Sequence, residues 1–309
     1  MTKSKVLRMD NIGIVVEDLK SAIAFFVELG LELENEMTVE GQWVDRVVGL
    51  NGVRTDIAMM RTPDGHGKLE LMKFQKPTAT TTEVNVQVNT LGIRRIMFAV
   101  KDLDDVVARL QKRGAKLLGG VEKFVDMNQV GYRLGYLRGP EGIIFGLAEQ
   151  IGNRSTADVK KSKKSEVQMD NVLIVVDDLE AAKSFFTELG LDPEGETNVE
   201  GPEVGSLIGL KDVRATLSVL RTPDGHGRIE LDKFHTPKAI GSVSVAAPSN
   251  TLGIRRVMFA VDDIDDAVAR LLAHGAELMG EVVQYEDTYR LCYLRGPEGI
   301  IVGLAEELG

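Results

Sequence analysis

Short apolar runs alternate with amphipathic stretches along the chain. An apolar run, an acidic residue and then helix-spaced apolar positions occupy residues 12–30, and the same succession returns at residues 96–114. Leu19, Ala22, Phe26 and Leu29 share one helical face in the first stretch, as do Leu103, Val106, Val107 and Leu110 in the second. Asp18 and Asp102 stand where helices are capped, and Gly30 and Gly114 where they stop. Shorter runs after each helix read as strands, among them Thr55–Arg61 and Lys68–Phe74, joined by the turn sequence TPDGHG. The predicted unit is a strand and a helix followed by several strands, and it occurs four times.

The fourfold count comes from a duplication. MDNIGIVV at Met9 returns as MDNVLIVV at Met169, and RTPDGHGKLEL at Arg61 returns as RTPDGHGRIEL at Arg221. NTLGIRRIMFAV begins at Asn89 and NTLGIRRVMFAV at Asn250, while YLRGPEGII occurs at Tyr136 and Tyr293. Copy one carries a few extra residues around Met127–Gly131. The division expected is a first domain at 1–152, a linker at 153–168 and a second domain at 169–309. The linker, with Lys160, Lys161, Lys163 and Lys164, reads as a solvated tether.

Charge narrows the partners. The 309 residues include 47 acidic and 37 basic side chains, for a net charge of −10. Such a chain is a poor non-specific binder of nucleic acid but tolerates a cationic small ligand. No apolar run approaches the roughly 20 residues of a membrane span, and the start lacks a signal peptide's apolar stretch. A cytoplasmic protein is therefore expected, with no nucleic-acid or membrane partner. The single cysteine, Cys292, excludes an intrachain disulfide; Gly135 stands at its place in copy one.

MDNIGIVVEDLKSAIAFFVELGL, GIRRIMFAVKDLDDVVARL and the closing GPEGIIFGLAE together resemble the vicinal oxygen chelate superfamily of glyoxalases, extradiol dioxygenases, and bleomycin- and fosfomycin-resistance proteins. The resemblance covers nearly the whole chain apart from the linker. It implies an α+β fold of four βαβββ modules forming two half-open, barrel-like sheets about a pseudo-two-fold, each with a cavity. A monomer acting as an intramolecular pseudo-dimer follows. The string itself leaves open whether modules pair within a copy or between copies.

Metal-dependent members of that superfamily hold a divalent cation with four side chains, two from each module. Asn11 and Asn171 stand at the first ligand position, usually His. Glu70 and Glu230 match the second. Arg95 and Arg256 replace the third, and Gly146 and Gly303 the fourth. A guanidinium about 4 Å from a divalent cation costs roughly 8 kcal/mol at an effective dielectric of 20, and arginine does not shed its proton in relief. No metal and no cofactor are expected; Arg95 takes the cation's place and pairs with Glu70, as Arg256 does with Glu230. A purely structural ion pair accounts for this pattern about as well as a ligand floor does.

The remaining candidates are less constrained. Trp43 could stack on a ligand and Asp45 attract a cation, with Glu203 near the equivalent place in copy two. Tyr136 and Tyr293, before the GPEG turns, are candidate lining residues. Leu173 replaces Gly13, which makes the pocket of copy one the roomier. His66 and His226 read as turn residues exposed to water, and His235 and His274, which differ between copies, as surface residues. The function expected is metal-free binding of a small molecule, with resistance by sequestration as one form. The alternative is a lyase, isomerase or dioxygenase-like enzyme in the same cavity, with Glu70 as general base and Arg95 stabilising an oxyanion. Pairing with Arg95 would lower the Glu70 pKa and weaken that base.

Overall fold

The computed structural model describes residues 4–81, 85–125, 130–151, 167–241 and 246–309. Nearly all of the expected linker, with its four lysines, and most of the copy-one insertion lie outside the described residues. Val167 and Gln168, expected to end the linker, instead open a strand, because Val167 is buried against Gly30 at the end of the first helix.

Module one comprises β1 (Val6–Val15), α1 (Leu19–Leu29), β2 (Glu32–Glu40), α2 (Gln42–Val48), β3 (Arg54–Arg61) and β4 (Lys68–Lys76). Module two comprises β5 (Gly92–Val100), α3 (Leu103–Lys112), β6 (Lys116–Val125), β7 (Gly131–Arg138) and β8 (Ile144–Ile151). Module three repeats module one as β9 (Val167–Val175), α4 (Leu179–Leu189), β10 (Asp192–Glu200), α5 (Pro202–Ile208), β11 (Arg214–Arg221) and β12 (Arg228–Thr236). Module four comprises β13 (Gly253–Val261), α6 (Ile264–Ala273), β14 (Glu277–Leu278), β15 (Val283–Tyr285), β16 (Tyr289–Arg295) and β17 (Ile301–Glu307).

Local chemistry accounts for the helices. The Asp18 carboxylate accepts the Ser21 N–H at 3.0 Å and Asp102 accepts that of Asp105 at 3.0 Å, each satisfying a free donor of the first turn. Gly30 ends α1 at φ 118°, a left-handed conformation that disfavours a side chain. The helix Gln42–Val48, with its counterpart α5, was not anticipated. Its first turn has no side-chain cap, and its buried residues are only Val44, Val47 and Val48.

The two sheets exchange modules between the copies. One runs β14-β16-β17-β13-β1-β4-β3-β2, with β15 paired to β16, so it joins module one to module four. The other runs β10-β11-β12-β9-β5-β8-β7-β6 and joins module two to module three. The seams are antiparallel: β1 on β13, with Asn11 opposite Met258, and β5 on β9, with Met97 opposite Asn171. The helical layer is organised differently. Helix α1 packs on α3 and α4 on α6, each pair within one copy, and Phe25 of module one meets Phe145 of module two with ring centroids 5.4 Å apart. Each copy is thus held together on its helical side, while each barrel is shared between copies. The two TPDGHG turns also meet, with His66 and His226 stacked at 3.5 Å and 6° between planes.

Candidate functional site

Strand alternation sends Asn171 of β9, Glu230 of β12, Arg95 of β5 and Tyr136 of β7 into the second barrel. Arg95 is 2% exposed. Its Nη2 donates to Asn171 Oδ1 at 2.7 Å and to Glu230 Oε2 at 2.9 Å. Its Nη1 donates to the Tyr136 hydroxyl, and the guanidinium carbon lies 4.8 Å from the centre of that ring. In the first barrel Arg256 Nη2 donates to Glu70 Oε2 at 2.5 Å, and the guanidinium lies 4.9 Å from the Tyr293 ring.

The pairing expected within each copy is therefore corrected. Arg95 pairs with Glu230, and Arg256 with Glu70, because β5 pairs with β9 and β1 with β13. Glu70 and Arg95 stand in different barrels and cannot share a reacting group.

The four positions at which relatives would hold a metal do converge in each barrel, but their chemistry does not fit a cation. In the second barrel they are Asn171, Glu230, Arg95 and Gly146; a guanidinium occupies the centre and donates hydrogen bonds to the oxygens of Asn171 and Glu230. Gly146 offers no side-chain donor, and an added Cβ there would press on Met97 Sδ at 2.6 Å and Arg95 Cδ at 3.1 Å. Among the described residues, no group of three or more His, Cys, Asp or Glu is placed to hold a metal ion.

The two barrels differ in what lies above this floor. The second encloses a cavity of about 220 Å³, walled by Met97, Phe124, Leu134, Leu173, Leu207, Ile208 and Phe234. In the first, Met72, Phe74, Met258 and Tyr293 are packed together with Trp43, Met59 and Met279. The space at Gly13, expected to make copy one roomier, is occupied by a side chain. Arg256 lies directly on Gly13, where a Cβ would come within 2.8 Å of its Cγ, so the guanidinium takes the space that the glycine leaves. Burial alone would lower the Arg256 pKa, but Glu70, Tyr293 and Asp10 outweigh it and hold it above its usual value. Burial pushes the Tyr293 hydroxyl up to about 12 against the pull of Arg256.

Trp43, Asp45 and Glu203 do not line the cavity. Trp43 belongs to α2 and packs against Tyr285 at 4.5 Å. Asp45 accepts the N–H groups of Gly52 at 2.8 Å and Val53 at 2.7 Å, closing the turn before β3. Glu203 is exposed on α5, whose Val204, Leu207 and Ile208 face the cavity instead. Asn11, the counterpart of Asn171, donates to Asp10 at 3.1 Å, and its buried Oδ1 has no partner among the described residues.

Sequence reasoning missed Asp232, although the signal was present: KLELMKF in copy one reads RIELDKF in copy two, a carboxylate where its twin holds Met72. Asp232 is 5% exposed and lines the cavity, and its Oδ1 is buried with no hydrogen-bond partner among the described residues. Burial and the neighbouring Glu230 raise its pKa well above 3.8, while Arg95 opposes them. The second barrel's cavity thus carries a carboxyl, Asp232, that has no counterpart in the first, where Met72 stands at its place.

Comparison with known proteins agrees with this architecture. No curated protein matches the chain. Glyoxalase I from Zea mays is similar over 97% of this chain and 92% of its own, at 15% identity and a TM-score of 0.65. A putative dioxygenase from Bacillus subtilis is similar over 99% of this chain and 86% of its own, at 14% identity and a TM-score of 0.60. A glyoxalase family protein from Bacillus cereus is 51% identical over 49% of this chain and 99% of its own, with a TM-score of 0.46. At these identities the first two likenesses concern the fold alone. Among the described residues no helix is long and apolar enough to cross a membrane. Residues 10–132 and residues 168–304 each match the family described as the Glyoxalase/Bleomycin resistance protein/Dioxygenase superfamily. With its two tandem domains and its module architecture, the chain belongs to that superfamily.

Proposed function

We propose that this protein binds a small molecule in the cavity of the second barrel without a metal, and that the ligand presents a cationic or hydrogen-bond-donating nitrogen to Asp232. The observation that carries this reading is the buried Asp232 Oδ1, without a partner among the described residues, inside a cavity with mainly apolar walls. A buried carboxyl without a partner is costly, and a ligand N–H or ammonium removes that cost on binding. Arg95, Glu230, Asn171 and Tyr136 are engaged with one another and form a fixed floor. The apolar walls grip the body of the ligand, and the carboxyl fixes its orientation. A volume of about 220 Å³ falls below the roughly 300–1,000 Å³ typical of drug-sized sites. A compact amine therefore suits the cavity better than a bulky drug, so sequestration of a large antibiotic inside it is disfavoured.

The second reading is a metal-independent enzyme, favoured by the buried Asp232 carboxyl in the cavity, whose pKa burial and Glu230 raise, a perturbation common at functional sites. Titration calorimetry with compact primary and secondary amines tests the binding reading. Saturable binding that Asp232→Asn abolishes, with the compound recovered unchanged, is the expected result. Turnover lost in Asp232→Asn would move the assignment to the enzyme. A tightly bound divalent ion in each barrel, found by metal analysis of protein purified without chelator, would overturn the metal-free reading.

A further inference from the structure

A second site lies outside the barrels, where equivalent segments of the two copies face each other. The repeated GIRR sequence places Arg95 and Arg256 inside the barrels, while their neighbours Arg94 and Arg255 reach a separate cleft, Arg94 bordering the barrel cavity as well. Both of these arginines border a cleft of about 110 Å³, together with Gly92, Gly253, Glu141 and Glu298.

Arg94 and Arg255 form no ion pair among the described residues. Arg94 donates from Nε to the backbone carbonyls of Thr90 at 2.7 Å and Leu91 at 3.1 Å, and from Nη2 to Leu91. Among the described residues Arg255 donates only to the Ala247 carbonyl, at 3.4 Å, and its buried Nε has no partner there. Both Nη1 groups are unengaged among the described residues. The two bordering carboxylates are committed elsewhere. Glu141 accepts the Glu17 N–H at 3.0 Å, and Glu298 accepts those of Asp177 at 2.9 Å and Asp178 at 3.2 Å. Burial lowers the Arg94 and Arg255 pKa values to about 10, and for Arg255 the nearby charges of Arg295 and Arg94 add to the effect.

Both guanidinium groups border the cleft with donors left unmade, the two carboxylates that also border it are held by backbone N–H groups, and guanidinium donors match tetrahedral oxyanions. We propose that this cleft binds one phosphate-type oxyanion per chain, clamped between Arg94 of copy one and Arg255 of copy two. Free phosphate or the head of a phosphomonoester supplies the same group. Either would stabilise the folded chain by bridging its copies.

Titration calorimetry and thermal unfolding of the full chain, with inorganic phosphate or glycerol 3-phosphate at constant ionic strength, test the site. One saturable site and a rise in Tm are expected, and the tighter of the two compounds identifies the source. Arg94→Met and Arg255→Met should each weaken binding about tenfold or more, with Arg→Lys at either position intermediate. Without ligand, Arg255→Met should unfold no earlier than the parent, whereas Arg94→Met also gives up its hydrogen bonds to the Thr90 and Leu91 carbonyls, so each variant's phosphate response is read against its own unliganded Tm. Asp232→Asn should leave the phosphate response intact, which separates this site from the barrel cavity. No saturable heat with either compound, or undiminished binding in both Met variants, would overturn the proposal.

Discussion

Arg95 and Glu230 lie 2.9 Å apart, yet one belongs to the first copy of the repeat and the other to the second. Their contact, mirrored by Arg256 and Glu70 at 2.5 Å, shows that each barrel floor is assembled from both copies. The chain is a pseudo-dimer in which strands are exchanged and helices are not.

A double-mutant cycle tests this exchange directly. Removing Arg95 alone leaves Glu230 and Asp232 without their cation, and breaking a buried pair of this kind costs about 3–5 kcal/mol. Arg95→Met combined with Glu230→Gln should be far from additive. Arg95→Met with Glu70→Gln should add to within about 0.5 kcal/mol, as distant sites do. Urea denaturation supplies the four stabilities of each cycle, and equal coupling in both would contradict the pairing described.

Asp232 gives the protein a pH signature. Burial, together with Glu230, raises its folded-state pKa above 3.8. A carboxyl with a raised folded pKa binds its proton more tightly in the native state, so its contribution to stability falls as pH rises through that window. Asp232→Asn should therefore match the parent near pH 3–4, close to the unfolded pKa of about 3.9. It should grow progressively more stable than the parent towards neutrality. A stability difference that does not change with pH would assign Asp232 an ordinary pKa.

Gly13 is the seat of Arg256. An added methyl at this position would press on the guanidinium arm, and overpacking in a closed site costs about 1–3 kcal/mol. Gly13→Ala should lower the denaturation midpoint by that amount. Gly195→Ala, where a Cβ meets nothing within 4 Å, serves as the neutral control.

Cys292 should be chemically silent in the native state. It is fully buried, and burial pushes its thiol pKa up to about 12. The thiolate is the reactive form, so labelling by a disulfide reagent should track unfolding and accelerate sharply in denaturant. Rapid labelling of the native protein would show that β16 opens locally.

Much of the local structure was legible in the string. Capping aspartates and helix-spaced apolar residues placed α1 and α3, because caps and amphipathic faces are properties of a few neighbouring residues. The helices α2 and α5 escaped notice because they are short and lack a side-chain cap. Trp43 drew attention as a lone aromatic, but its ring is occupied by Tyr285, which lies 242 positions further along the chain. Asp232 was legible only by comparing the copies position by position, where a carboxylate stands opposite Met72 in otherwise matching strands.

The sequence by itself determined the four modules, their long helices and main strands, and the candidate Asn, Glu, Arg and Gly positions in each copy. It could not determine which modules meet. The alternative partners for β1 are β5 and β13, which read GIRRIMFAV and GIRRVMFAV and differ at one position. Strand pairing energies are therefore nearly the same either way. Only the tertiary structure decided it, by packing α1 on α3 within a copy while pairing β1 with β13 across copies. That choice places Asp232 beside Arg95 and Glu230 in the cavity of the second barrel, and lays Arg256 over Gly13 in the first.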